Sequence, residues 1–134
     1  YGKLYNWYAV NDSRGLAPQG WHVPSDSEWT ILSDYLGGAD FAGGKLKESG
    51  FVNWNKPNAG ATNESGFLAI ATPLRYGDGT FTSMDEEKNS AFFWSSTKND
   101  NLTAIYYRLF YGFERFDRST YGLNSGWSVR CIKN

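Results

Sequence analysis

GWHVPSDSEWTILSDYLGG, residues 20–38, is the one long stretch of the chain with a clean helical period. Trp29, Leu32 and Leu36 fall at i, i+3 and i+7, and Tyr35 is expected to widen that apolar stripe. The start of the helix is written in its capping residues. Ser25 can accept a hydrogen bond from the Glu28 backbone N–H, while the Glu28 carboxylate reaches back to the Ser25 N–H, a capping box. Asp26 and Glu28 place negative charge at the positive end of the helix dipole. Pro24 stands before the cap, where it can staple onto Trp29. Gly37 and Gly38 can take positive φ and end the helix. Each of these residues has a capping or packing duty, so the helix is expected to be scaffold and to carry no chemistry.

Outward from that helix the pattern turns to short elements. The first ten residues alternate and predict a strand, followed by a turn at Asn11 to Gly15. Asp40 to Glu48 predicts a weaker second helix, with Phe41 and Leu46 inward. Gly43 and Gly44 cost that helix about 1 kcal/mol each, for which close backbone packing is the expected reason. Phe51 to Ser65 predicts a long ordered loop pinned by Trp54. Phe67 to Ala71 predicts a short strand, ended by Pro73. Arg75 to Phe81 predicts a hairpin turning at Asp78-Gly79, and Met84 to Asn89 a solvated polar loop. Ala91 to Thr97, Thr103 to Tyr111 and Trp127 to Ile132 complete the expected strands. No repeat or linker interrupts the series, so residues 1–134 are expected to form a single α+β domain.

Composition narrows the functional classes. A net charge of -1 gives no electrostatic reason to expect nucleic acid or an acidic membrane as partner. No apolar run is long enough to span a bilayer. The chain begins inside a strand-like stretch, so no leader is expected within it; a precursor that lost one, or a trimmed chain, fits equally. Aromatics at 18% together with 15 glycines suit a twisted sheet, many turns and a core of large rings, and argue against disorder. Cys131 is the sole cysteine, which rules out an internal disulfide and leaves the compartment open.

The blocks Gly20-Trp21-His22-Val23-Pro24-Ser25-Asp26 and Glu28-Trp29 resemble the opening of the Fibrobacter succinogenes major paralogous domain, a family of bacterial surface and secreted modules. The resemblance runs on, in order, through Tyr35 to Gly38, Ala42 to Lys47, Gly60 to Phe67, Phe93 to Thr97 and Ser128 to Cys131. It implies a variant of the C-type-lectin-like fold, near formylglycine-generating enzymes and phage variable proteins. Two helices would pack on a small, twisted, mostly antiparallel sheet, with the N- and C-terminal strands adjacent. It also implies an extracellular or cell-surface setting, in an outer-membrane lipoprotein or secreted protein. Many members carry a cysteine shortly before Gly-Trp-His; here Ala17 stands there, so a disulfide from that place to Cys131 is absent.

Few residues suggest catalysis. His22 is the only histidine, which excludes a three-histidine zinc site, and beside Trp21 and Val23 it is expected to be structural. One cysteine cannot supply the cysteine pair on which the formylglycine-generating relatives depend. No phosphate-binding glycine loop is present. No catalytic residue, metal ligand or cofactor is therefore expected, and the domain is expected not to be an enzyme. Calcium is kept as an alternative at Asn58, Asn63 and Glu64, whose oxygens are of the right kind. Against it, Lys56-Pro57-Asn58 puts a cation where calcium-dependent sugar binders carry Glu-Pro-Asn.

The segment from Asn99 to Ser125 is the candidate site. A strand sends alternate side chains to one face, so with Ile105, Tyr107 and Leu109 inward, Tyr106, Arg108 and Phe110 point out. Tyr111, Phe113, Arg115, Arg118 and Tyr121 follow with few aliphatics to bury them. Exposed rings and guanidinium groups among small polar residues are the composition of a binding surface. The expected ligand-contacting set is Tyr106, Phe110, Tyr111, Phe113, Arg115, Arg118, Tyr121 and Asn124, presented to a protein or glycan. In lectin-fold relatives the diversified positions lie in this last third. The alternative is a structural or assembly domain whose same face meets neighbouring domains.

Overall fold

The computed structural model describes residues 2–83 and 86–134. The capping box forms as the sequence requires: Ser25 caps helix α2 (Asp26–Tyr35), with the Ser25 hydroxyl and the Glu28 carboxylate each bonding the other's backbone N–H. Pro24 and Trp29 are both buried at this end. The Glu28 carboxyl is pulled down to about 2, first by the Ser25 backbone N–H, then with help from His22 and the Ser25 hydroxyl against the cost of burial. Its stabilisation is therefore complete above the unfolded value of 4.5 and disappears as pH falls through about 2. Glu28→Gln should cost about 1–2 kcal/mol near pH 7, after allowance for solvent screening, and almost nothing near pH 2. Urea unfolding of the two proteins at both pH values measures it.

Three expectations about the helices need correction. The N-terminal stretch is not a strand: Asn6 caps a single helical turn, α1 (Trp7–Val10), which buries Trp7 and Val10 and leaves Tyr8 exposed. Tyr35 does not join the inner stripe of α2 and is 86% exposed. At about 100° per residue it lies roughly 120° from Trp29, whereas Ser33, roughly 40° away, takes the inner place; Ser33 is buried. Phe41 likewise faces outward from α3 (Ala39–Leu46). This helix turns Gly43 and Gly44 inward because its backbone lies against other backbone. A Cβ on Gly43 would land on the Arg115 and Glu114 carbonyls, and one on Gly44 on the Gly60 carbonyl.

The main sheet is antiparallel, with strands β2 (Ser90–Lys98), β3 (Thr103–Phe110) and β4 (Phe116–Gly122) in that order. Strand β4 lies beyond the expected strands. Short strands β1 (Trp21–His22) and β5 (Ile132–Lys133) make a second antiparallel pair. Residues 127–128 do not extend β5. Instead Trp127 bridges Tyr5, which brings the two ends of the chain together, and Ser128 bridges Phe93 along the outer edge of β2. Ala69 makes only an isolated bridge to Lys47, so 67–71 is not a strand either. The Arg75–Phe81 bridge closes the expected turn. The expected polar loop of 84–89 begins at Met84 and Asp85, which lie outside the described residues.

Two cores sandwich the sheet. On one face Ala91, Phe93, Ile105, Tyr107, Leu109 and Phe116 pack with Trp29, Leu36, Leu46 and Trp54. On the other, Trp94 and Ala104 pack with Trp7, Val10, Val23, Leu74, Leu123 and Trp127. Trp7, Trp54 and Trp94 donate their indole N–H groups to the carbonyls of Ser95, Ala69 and Tyr5, at 2.9, 3.0 and 2.9 Å. The rings thus fix chain crossings as well as filling volume.

Candidate binding surface

The second core covers only part of its face of the sheet. Strand β4 sets the rest by its register with β3, which places Arg108 opposite Asp117 and Tyr106 opposite Ser119. Arg108 Nη2 donates to Asp117 Oδ2 at 2.7 Å, and Arg115 Nη2 lies 2.7 Å from Asp117 Oδ1. Two guanidinium groups thus share one carboxylate, which leaves one positive charge in excess. The Arg108 guanidinium sits 5.6 Å from the Phe110 ring centre and 5.7 Å from that of Phe113; Arg115 lies 5.6 Å from Phe113. The two phenyl rings are 4.9 Å apart. Each planar cation is held against a ring, which limits the freedom it would lose on meeting a ligand. Beside Phe92 and Phe110 the surface dips into a cavity of about 160 Å³ bordered by Tyr76, Thr82 and Asn89.

The eight expected residues do not form one site. Phe110, Phe113 and Arg115 come together in this cluster. Tyr106 and Tyr121 flank it but pack on buried Trp127, with ring centres 4.2 and 5.1 Å away. Tyr111 packs against the first core. Arg118 lies on the opposite face, its Nε and Nη2 donating to both oxygens of Asp26 at 2.7 and 2.8 Å. It holds the N-terminus of α2 to the sheet, and Tyr107 Oη donates to the same carboxylate at 2.9 Å. These bonds, that of Arg118 foremost, pull the Asp26 carboxyl below its ordinary range. Asn124 meets the 76–80 turn, where its amide donates to the Gly77 carbonyl at 3.4 Å. The cluster's other members, Arg108 and Asp117, lie outside the expected set. Parity on β3 already turns Arg108 outward; the signal for Asp117 is the pairing of β3 with β4, which becomes readable only once 116–122 is taken as a strand.

The residues considered for other chemistry have local duties. Asn58 takes positive φ and donates to the carbonyls of Glu48 and Gly50 at 2.9 and 2.8 Å. Asn63 accepts from the Leu68 N–H at 2.7 Å, and Glu64 lies 3.4 Å from Lys45 Nζ. His22 spans Asn134 Oδ1 and Glu28 Oε1 at 2.7 and 2.8 Å, and these two bonds raise its proton affinity. Both ring nitrogens are engaged there, and the Cys131 thiol is half-buried and pushed up by burial.

A family model, the Fibrobacter succinogenes major domain, matches residues 1–133. The chain belongs to the Fibrobacter succinogenes major domain family. No curated protein and no solved structure matches it. Within the major domain, the motif around Trp21, His22 and Glu28 now has a physical reason. It closes the β1–β5 pair and the N-terminus of α2 in one hydrogen-bonded unit. No helix of the described residues is long and apolar enough to cross a membrane.

Proposed function

We propose that this domain is a non-enzymatic binding module of a bacterial surface or secreted protein, built on a C-type-lectin-like scaffold. The scaffold reading draws on two helices packed on an antiparallel sheet and on chain ends joined at Tyr5 and Trp127. The functional reading rests on one observation: Arg108 and Arg115, held on Phe110 and Phe113, share a single carboxylate on the open half of the outer sheet face. Rigid rings carrying hydrogen-bond donors at their margins suit a protein or glycan ligand. The contact set is accordingly redrawn to Arg108, Phe110, Phe113, Arg115 and Ser119, with Tyr121 at its border.

The test is the triple substitution Phe113→Ala, Arg115→Ala, Ser119→Ala, screened on glycan and surface-protein arrays beside the parent. Binding should fall at least about tenfold, with a melting temperature within a few degrees of the parent. A second reading, assembly with a neighbouring subunit, is favoured by the apolar helical side, where Ile31, Tyr35 and Phe41 are 67%, 86% and 58% exposed. Binding that survives the triple substitution and is lost with Tyr35→Lys would move the function to that side.

A further inference from the structure

On the α2 side of the sheet, away from the proposed surface, a slot of about 260 Å³ opens between α2 and β5. Trp29, Leu32, Phe67 and Ile132 give it apolar walls, and Cys131 and Arg130 complete it near the mouth of β5. For scale, an engineered apolar cavity of about 150 Å³ takes up benzene. Three features mark this slot as more than a packing fault. First, the Arg130 guanidinium lies over Phe67, 4.6 Å from the ring centre. Among the described residues it has no carboxylate partner. Second, Trp29 is 2% exposed, yet its indole N–H has no acceptor. A buried donor without a partner costs about 1–3 kcal/mol, which marks the indole as a place the fold leaves unsatisfied. Third, the one acid on the wall, Glu28, has its oxygens engaged by His22 and Ser25, which leaves Arg130 as the unpaired charge.

We propose that this slot binds a small hydrophobic monocarboxylate, with the apolar body against Trp29 and Leu32 and the carboxylate forked by Arg130. The chemistry follows from the walls: an apolar cleft selects hydrocarbon, and a guanidinium held over a ring presents paired N–H donors to a planar anion. Neutral molecules of the same shape should enter less well, because they leave the Arg130 donors to water.

4-Methylpentanoate is the probe, with 4-methylpentanol as its neutral counterpart. Cys131 lines the slot, so protection of its thiol from iodoacetamide reports occupancy, and the Trp29 indole resonance gives a second reading. The acid should slow alkylation several-fold at saturation and shift the indole signal. The alcohol should bind about tenfold more weakly, and Arg130→Gln should bring the acid down to the level of the alcohol. Equal binding of acid and alcohol, or acid binding indifferent to Arg130→Gln, overturns the carboxylate assignment. No protection by either compound at tens of millimolar overturns the site. Leu32→Trp, which fills the slot, should abolish protection while the parent fold, read by the dispersed amide spectrum, persists; protection that survives the filling also overturns the site.

Discussion

Lys47→Met should remove about 3–5 kcal/mol of folding stability, a large share of the total for a chain this size. Lys47 follows α3 directly and is 0% exposed. Its ammonium donates to the carbonyls of Ala59, Phe110 and Phe113 at 2.8, 3.0 and 3.0 Å, and lies 5.6 Å from the Trp54 ring centre. Burial lowers its proton affinity to about 8, with Glu114 acting the other way, so near neutrality it is still charged. Three carbonyls converge on one cation, and an isosteric thioether leaves all three facing apolar surface. Each stranded acceptor costs about 1–3 kcal/mol, part of which relaxation of the loop recovers. Urea unfolding gives the value. A loss under about 1 kcal/mol would mean that water or backbone movement satisfies the carbonyls and that Lys47 is not the tether.

Gly43→Ala should be the second large effect, about 2–4 kcal/mol, and its sign is the informative part. In an exposed helix interior the same change stabilises by about 1 kcal/mol, because alanine has the better helix propensity. Here the added methyl would meet the backbone of residues 114 and 115, which cannot swing aside as a side chain can. The Gly44 N–H also donates to the Glu114 carbonyl at 3.0 Å, so separation of α3 from that segment breaks a hydrogen bond as well. Thermal unfolding should show a melting temperature lowered by several degrees or more. A raised one would show that α3 stands further from β4 than the structure has it.

These two residues act on the same place. Lys47 ties down Phe110 and Phe113 by their carbonyls, and Gly43 lets α3 press on Glu114 and Arg115. The turn between β3 and β4, which carries much of the cation and ring cluster, is therefore gripped from the scaffold side on both flanks. Its side chains are free to make contacts because its backbone is already anchored. Substitutions of the outward side chains of Phe113 or Arg115 should then have small effects on folding, whereas changes beneath them should not.

What the sequence disclosed follows the range of the forces involved. The capping box of α2 was legible because Ser25 and Glu28 are three residues apart and need only each other. Strands β2 and β3 were legible because their alternating residues face two apolar cores. Strand β4 was not: Phe116 is its one buried side chain, and Asp117 to Tyr121 carry no apolar alternation. Its pairing comes from the β3 ladder, a tertiary cause. The N-terminal turn was misread for a related reason. Over four residues, the spacing of Trp7 and Val10 cannot be told from strand alternation until Trp94 and Trp127 are placed beside them. The candidate surface shows the same division. The outward set from β3 was readable by parity, but the removal of Arg118 to Asp26, 92 residues away, was not.

The ammonium of Lys47 sits where two stretches of backbone, one at Ala59 and one at Phe110 and Phe113, turn three carbonyl oxygens inward, a donor set of the kind that also suits a hard metal ion. Here the positive charge is covalently part of the chain. It cannot be withdrawn by a chelator or diluted away, and it needs no uptake step during folding. The geometry of the turn after β3 should consequently be insensitive to the divalent-ion content of its surroundings.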